Sequence, residues 1–70
     1  MKRKYNPNKY DDYLASLMEH AYEAIEKGDN TLLELYCSTM HDELKTQFKS
    51  GIITETEWHE IEKYFWSFYK

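Results

Sequence analysis

Between residues 10 and 25 apolar side chains recur at Tyr10, Tyr13, Leu14, Leu17, Ala21, Ala24 and Ile25, spacings that draw one face of a helix. The same period returns at Leu33, Cys37, Met40, Leu44 and Phe48, with Leu32 and Tyr36 widening the stripe. It returns once more at Trp58, Ile61, Phe65 and Phe68. The pattern predicts three helices, over about residues 9–27, 31–49 and 55–69. Asn8, behind Pro7, is the expected N-cap of the first, with Asp11 and Asp12 in the first turn where the helix dipole favours acids. Lys27-Gly28 is a helix stop. Thr31 with Glu34 reads as the capping box of the second helix, with Asp29 and Asn30 as alternative caps.

The stretch "SGIITETEWHE", residues 50–60, is explained in the same terms. Gly51 ends the second helix, Thr54 with Glu57 makes the capping box of the third, and Ile53 and Trp58 stand at the positions of a hydrophobic staple. It is a hinge rather than a ligand loop. Connections this short set neighbouring helices antiparallel. The expected fold is therefore all-α, a small three-helix antiparallel bundle over residues 9–70, with residues 1–8 as a flexible basic tail. The alternative is a helical hairpin that completes its core only as a homodimer.

Residues 42–65, "DELKTQFKSGIITETEWHEIEKYF", also resemble the short helical hairpin of the SHOCT family, carried at the ends of many bacterial proteins. Leu44, Phe48, Gly51, Ile53, Thr54, Glu57 and Trp58 carry the resemblance, which implies an oligomerisation or adaptor role. It spans about a third of the chain. It departs where "HEIEK" replaces the family's lysine-rich turn, and the reading that follows is not built on it.

A domain of 70 residues buries a modest core. With one cysteine, Cys37, an internal disulfide is impossible, which fits a reducing, cytoplasmic setting. Seven Tyr, three Phe and two Trp supply the apolar area instead. The opening "MKRKYNPNK" has the positive flank of a signal peptide but no apolar stretch behind it, and no run is long enough to span a bilayer. Charge is divided unevenly. Lys2, Arg3, Lys4 and Lys9 precede a body with thirteen acids against five basic residues, a net of −8. Such a body repels a nucleic-acid backbone, so direct nucleic-acid binding is disfavoured.

Candidate chemistry is sparse. Cys37 and His41 share a helical face, as two metal ligands or a thiol and its base would. The other histidines, His20 and His59, fall on different helices, and Cys37 lies on the core stripe, where a free cysteine acts as a small hydrophobe. Glu55, His59 and Glu62 form a column, and Glu19, His20 and Glu23 a cluster. Both match a solvated helix face, and no paired Glu-x-x-His motif of a two-metal bundle is present. Phosphate loops, nucleophile elbows and calcium loops are missing from the sequence. The expectation is a non-enzyme without cofactor or metal.

What remains is surface. Tyr22, Tyr36, Tyr64, Trp66 and Tyr69 do not all fit inward-facing stripes, and Trp66 lies farthest from the 58-61-65-68 seam. Exposed Trp and Tyr on one helix are the material of an interface hot spot. The expected function is a regulatory or adaptor module that binds a protein partner through these residues. The second reading is an acidic mimic of nucleic acid that inhibits a DNA- or RNA-binding protein. Richness in Lys, Asn, Tyr and Ile suits an AT-rich bacterial or phage genome.

Overall fold

Every helix starts where a short polar side chain takes a free amide. The computed structural model describes residues 3–70, with α1 over Asp12–Lys27, α2 over Asn30–Lys49 and α3 over Glu55–Trp66. Asp11 Oδ1 accepts from the Leu14 amide at 2.8 Å and Asp29 Oδ1 from the Leu32 amide at 3.1 Å. At α3 the capping box closes in both directions, Glu57 N–H to Thr54 Oγ1 at 3.1 Å and Thr54 N–H to Glu57 Oε1 at 3.2 Å. Both hinges turn on a left-handed glycine, Gly28 at φ 68° and Gly51 at φ 77°. In each, the residue after the glycine reaches back five positions, Asp29 N–H to Ala24 O and Ile52 N–H to Gln47 O, each at 2.9 Å. This is the Schellman closure, which satisfies the last free carbonyls of a helix.

Three boundaries differ from expectation. Asn8 does not cap α1, because Pro7–Lys9 forms a separate 3-10 turn. Asn6 caps that turn, accepting from the Asn8 amide at 3.0 Å, and Tyr10 leaves it in an extended conformation. Tyr10 thus packs on the core from outside the helix. At the other end α3 stops at Trp66, and turn bonds such as Tyr69 N–H to Trp66 O at 3.0 Å replace the expected last turn. The expected Thr31–Glu34 capping box does not form: Thr31 lies inside α2, and the alternative, Asp29, is the cap.

Cross-helix contacts fix the direction of packing. Asp11 meets Gln47 and His20 meets Tyr36, so α1 and α2 run antiparallel. Asn30 meets Lys70, His41 meets Glu62 and Phe48 meets Trp58, so α2 and α3 do the same. The result is an all-α, up-down-up three-helix bundle of 33 × 20 × 17 Å. One chain closes its own core, so the hairpin that needs a second copy is not the architecture.

That core comprises Leu14, Leu17, Met18, Ala21, Tyr22 and Ala24 of α1, Leu33, Cys37, Met40 and Leu44 of α2, Ile53 of the hinge, and Ile61 and Phe65 of α3. On α1 the buried face is wider than a single seam and displaced from the expected one. Met18 and Tyr22 are inside, while Tyr13 is 56% exposed. A helix touching partners on two sides must bury a broad arc, and the second partner is the N-terminal segment. Residues 3–8, expected as part of a free tail, lie against α1 and α3. Pro7 is buried, and Tyr5 packs on the core. The rest of that expected tail, residues 1 and 2, lies outside the described residues. Gln47, polar yet 2% exposed, is satisfied by donating to Asp11 and, at 3.1 Å, to Glu43. Among the described residues no helix is long and apolar enough to cross a membrane.

Candidate functional site

The five aromatics expected at a binding surface go to three different places. Tyr22 is a correction to that expectation: it is 0% exposed and central to the core. Its ring meets Phe65 edge-on at 4.9 Å. Its hydroxyl accepts from the Tyr5 amide at 3.0 Å and donates to the Tyr5 carbonyl at 3.1 Å. Burial pushes its pKa up to about 12.

Tyr36 and Tyr64 are half-buried. Tyr36 stacks on His20 with centroids 4.9 Å apart, and the His20 Nδ1 is held at 2.7 Å by the Ser16 carbonyl. Tyr64 is edge-on to Tyr5, Phe65 and Phe68 at 5.2–5.3 Å, and its hydroxyl accepts the Lys4 amide at 3.4 Å. Both rings spend much of their area within the molecule.

Trp66 and Tyr69 alone of the five reach solvent substantially, at 37% and 43% exposed. They face each other edge-on at 5.5 Å across the end of α3. The chain there is pinned. Asn30, at the start of α2, donates to the Lys70 carbonyl at 2.7 Å and accepts from the Lys70 amide at 3.3 Å. Tyr69 donates at 3.5 Å to Glu34. Terminal residues held in this way lose less freedom when they bind.

The titratable groups are engaged differently from the candidate pairings. Burial, with the nearby Glu62 charge adding to it, raises the Cys37 thiol to about 12, so the thiolate a nucleophile or ligand requires is scarce at neutral pH. His41 does not partner Cys37; its Nδ1 pairs with the Glu62 carboxylate, which also accepts from Trp58 Nε1 at 2.8 Å. His59 stacks on Trp58 at 4.6 Å. Glu19 is taken by Arg3 at 2.7 Å. Among the described residues no three His, Cys, Asp or Glu side chains are grouped to hold a metal ion. A concavity of about 180 Å³ at the α1–α2 hinge is lined by Ala24, Ile25, Leu33 and Phe68 with Lys70 and Asp29, the latter the cap of α2.

Sequence reasoning missed the docking of Arg3, Lys4 and Tyr5. The available signal was an aromatic followed closely by Asn6-Pro7, a turn-forming pair that starts the 3-10 turn. No family model, curated protein or solved structure matches the chain. The likeness of residues 42–65 to the SHOCT hairpin therefore remains one of pattern.

Proposed function

We propose that the chain is a small non-catalytic module that binds a protein partner, anchored by Trp66 and Tyr69. The observation that carries this reading is their joint exposure on a pinned segment, in a chain that packs most of its other rings. Large aromatic rings held nearly rigid bring contact area at little entropic cost, the usual make-up of a hot spot. Tyr36, stacked on His20, and Tyr64, packed on Tyr5, are not part of this pair, and Tyr22 drops out of the site. A cytoplasmic, bacterial or phage setting goes with this reading, as does a regulatory or adaptor role.

The mimic of nucleic acid is the weaker reading, because many of its carboxylates are already occupied. Asp11, Asp29 and Glu57 cap helices, Glu19 holds Arg3, Glu43 holds Gln47 and Glu62 holds His41 and Trp58. The test is capture of a partner by the wild type and by Trp66→Ala at low and moderate salt. Retention at moderate salt with loss in the variant supports the aromatic anchor. Capture confined to low salt, whatever residue 66 is, overturns it in favour of charge mimicry.

A further inference from the structure

The seam between α1 and α3 is lined like a peptide-binding cleft, and residues 3–7 of the chain already lie in it. Three elements of recognition converge there. The Tyr22 hydroxyl exchanges two hydrogen bonds with the backbone of Tyr5, at 3.0 and 3.1 Å, a contact that reads main chain rather than a side chain. Rings of Tyr64 and Phe65 flank the Tyr5 ring at 5.3 and 6.3 Å. Glu19 and Glu26 hold the Arg3 guanidinium at 2.7 and 3.6 Å, while the same group lies 4.6 Å from the Tyr22 ring centroid.

The resident segment is an imperfect occupant. The Tyr5 hydroxyl is buried with no hydrogen-bond partner, an unfavourable state that a phenylalanine at the same place would avoid. Open concavities continue on both sides of the segment, one against Asn6, Pro7 and Glu19 and one against Glu60, Lys63 and Ser67. The cleft therefore has room beyond what the chain itself places there.

We propose that this seam binds a bent Arg-x-Phe segment of a partner protein, and that Arg3-Lys4-Tyr5, bent at Lys4 and Tyr5, is its self-ligand, displaced on binding. The acidic pair selects the arginine, the Tyr64–Phe65 wall selects the ring, and the Tyr22 hydroxyl sets the backbone register. A tethered segment competes at high effective concentration, so the free chain stays closed until a better-matched ligand arrives.

The test uses the full chain carrying Arg3→Glu and Tyr5→Ala, which vacates the cleft, with Arg3→Glu alone as a milder second variant. Labelled peptides of residues 3–9, one with the natural sequence and one with Tyr5→Phe, are titrated in while anisotropy is read. The expected result is saturable binding to the opened chain, with the Tyr5→Phe peptide tighter by roughly 5-fold, the value of one avoided unpaired hydroxyl. Adding Glu19→Lys should abolish binding. Absence of saturable binding to a folded variant overturns the proposal, as does indifference to Glu19→Lys or a tighter natural peptide. Failure of both opened variants to fold also overturns it, because the segment would then be an obligatory part of the core. The assay reads the α1–α3 seam and not the end of α3, so either binding reading can fail while the other stands.

Discussion

Tyr22 and Trp66 both stand off the helical stripes that their neighbours define, yet one is the middle of the core and the other is on the surface. The difference lies in what each finds beside it. Tyr22 faces the N-terminal segment, whose Tyr5 amide and carbonyl satisfy its hydroxyl on both the accepting and donating sides. A buried hydroxyl so partnered carries little desolvation cost, and the ring contributes its full area. Trp66 lies at the end of α3, where the helix stops and no further element covers it; its close ring partner is Tyr69, itself exposed. An off-stripe aromatic is thus ambiguous until the chain beyond the helix is placed.

Replacement by alanine should separate the two most sharply. Tyr22→Ala is expected to cost about 3–5 kcal/mol in urea unfolding, the range for truncating a large buried ring. Trp66→Ala should cost about 1–2 kcal/mol, since part of the ring is already wet and local contacts persist in the unfolded chain. Equal losses would break the comparison and make Trp66 a core residue.

Alkaline pH probes the buried side specifically. Tyr22 and Cys37 are raised to about 12 from 10.0 and 9.0, chiefly by burial. In the unfolded chain they ionise at the lower values, so between pH 9 and 12 the folded state binds more protons and stability falls as pH rises. Thermal melts should hold level below pH 9 on account of these two groups and decline above it. Tyr22→Phe should lessen the decline above pH 10. A decline unaffected by that substitution would place the titrating groups elsewhere.

Two smaller changes sharpen the account of the segments beside each ring. Thr54→Ala should remove about 1 kcal/mol by opening the capping box that starts α3. Tyr5→Phe should raise the melting temperature by removing the unpaired buried hydroxyl. Its expected gain is about 1 kcal/mol or less, because the ring already packs well. A lowered melting temperature would show that the hydroxyl has a partner in solution.

The parts of the fold legible in the sequence are those written in local signals. Gly28, Gly51, Thr54 and Glu57 specify their turns and caps within a few residues, and each acts as expected. The hinge at residues 50–60 could be assigned without knowing what packs on it. Illegible were contacts made across the chain. Gln47 is buried because Asp11, 36 positions away, accepts its amide. Tyr22 is buried because Tyr5, 17 positions away, folds back onto it. The exposure of Trp66 was legible because it falls where helical periodicity leaves the core, whereas Tyr69 is exposed because α3 stops at Trp66. Tyr22 was misplaced because its periodicity was judged against one neighbour when it has two.

The central claim is that in the closed chain Trp66 is exposed for binding whereas the Tyr22 ring is core. Its most direct test is partner capture from a lysate of the source organism by the wild type and Trp66→Ala, at moderate salt, with circular dichroism melts of both. The account predicts a partner held by the wild type and lost by a variant that still folds. A partner held equally by both chains, or a Trp66→Ala chain that no longer folds, would contradict it.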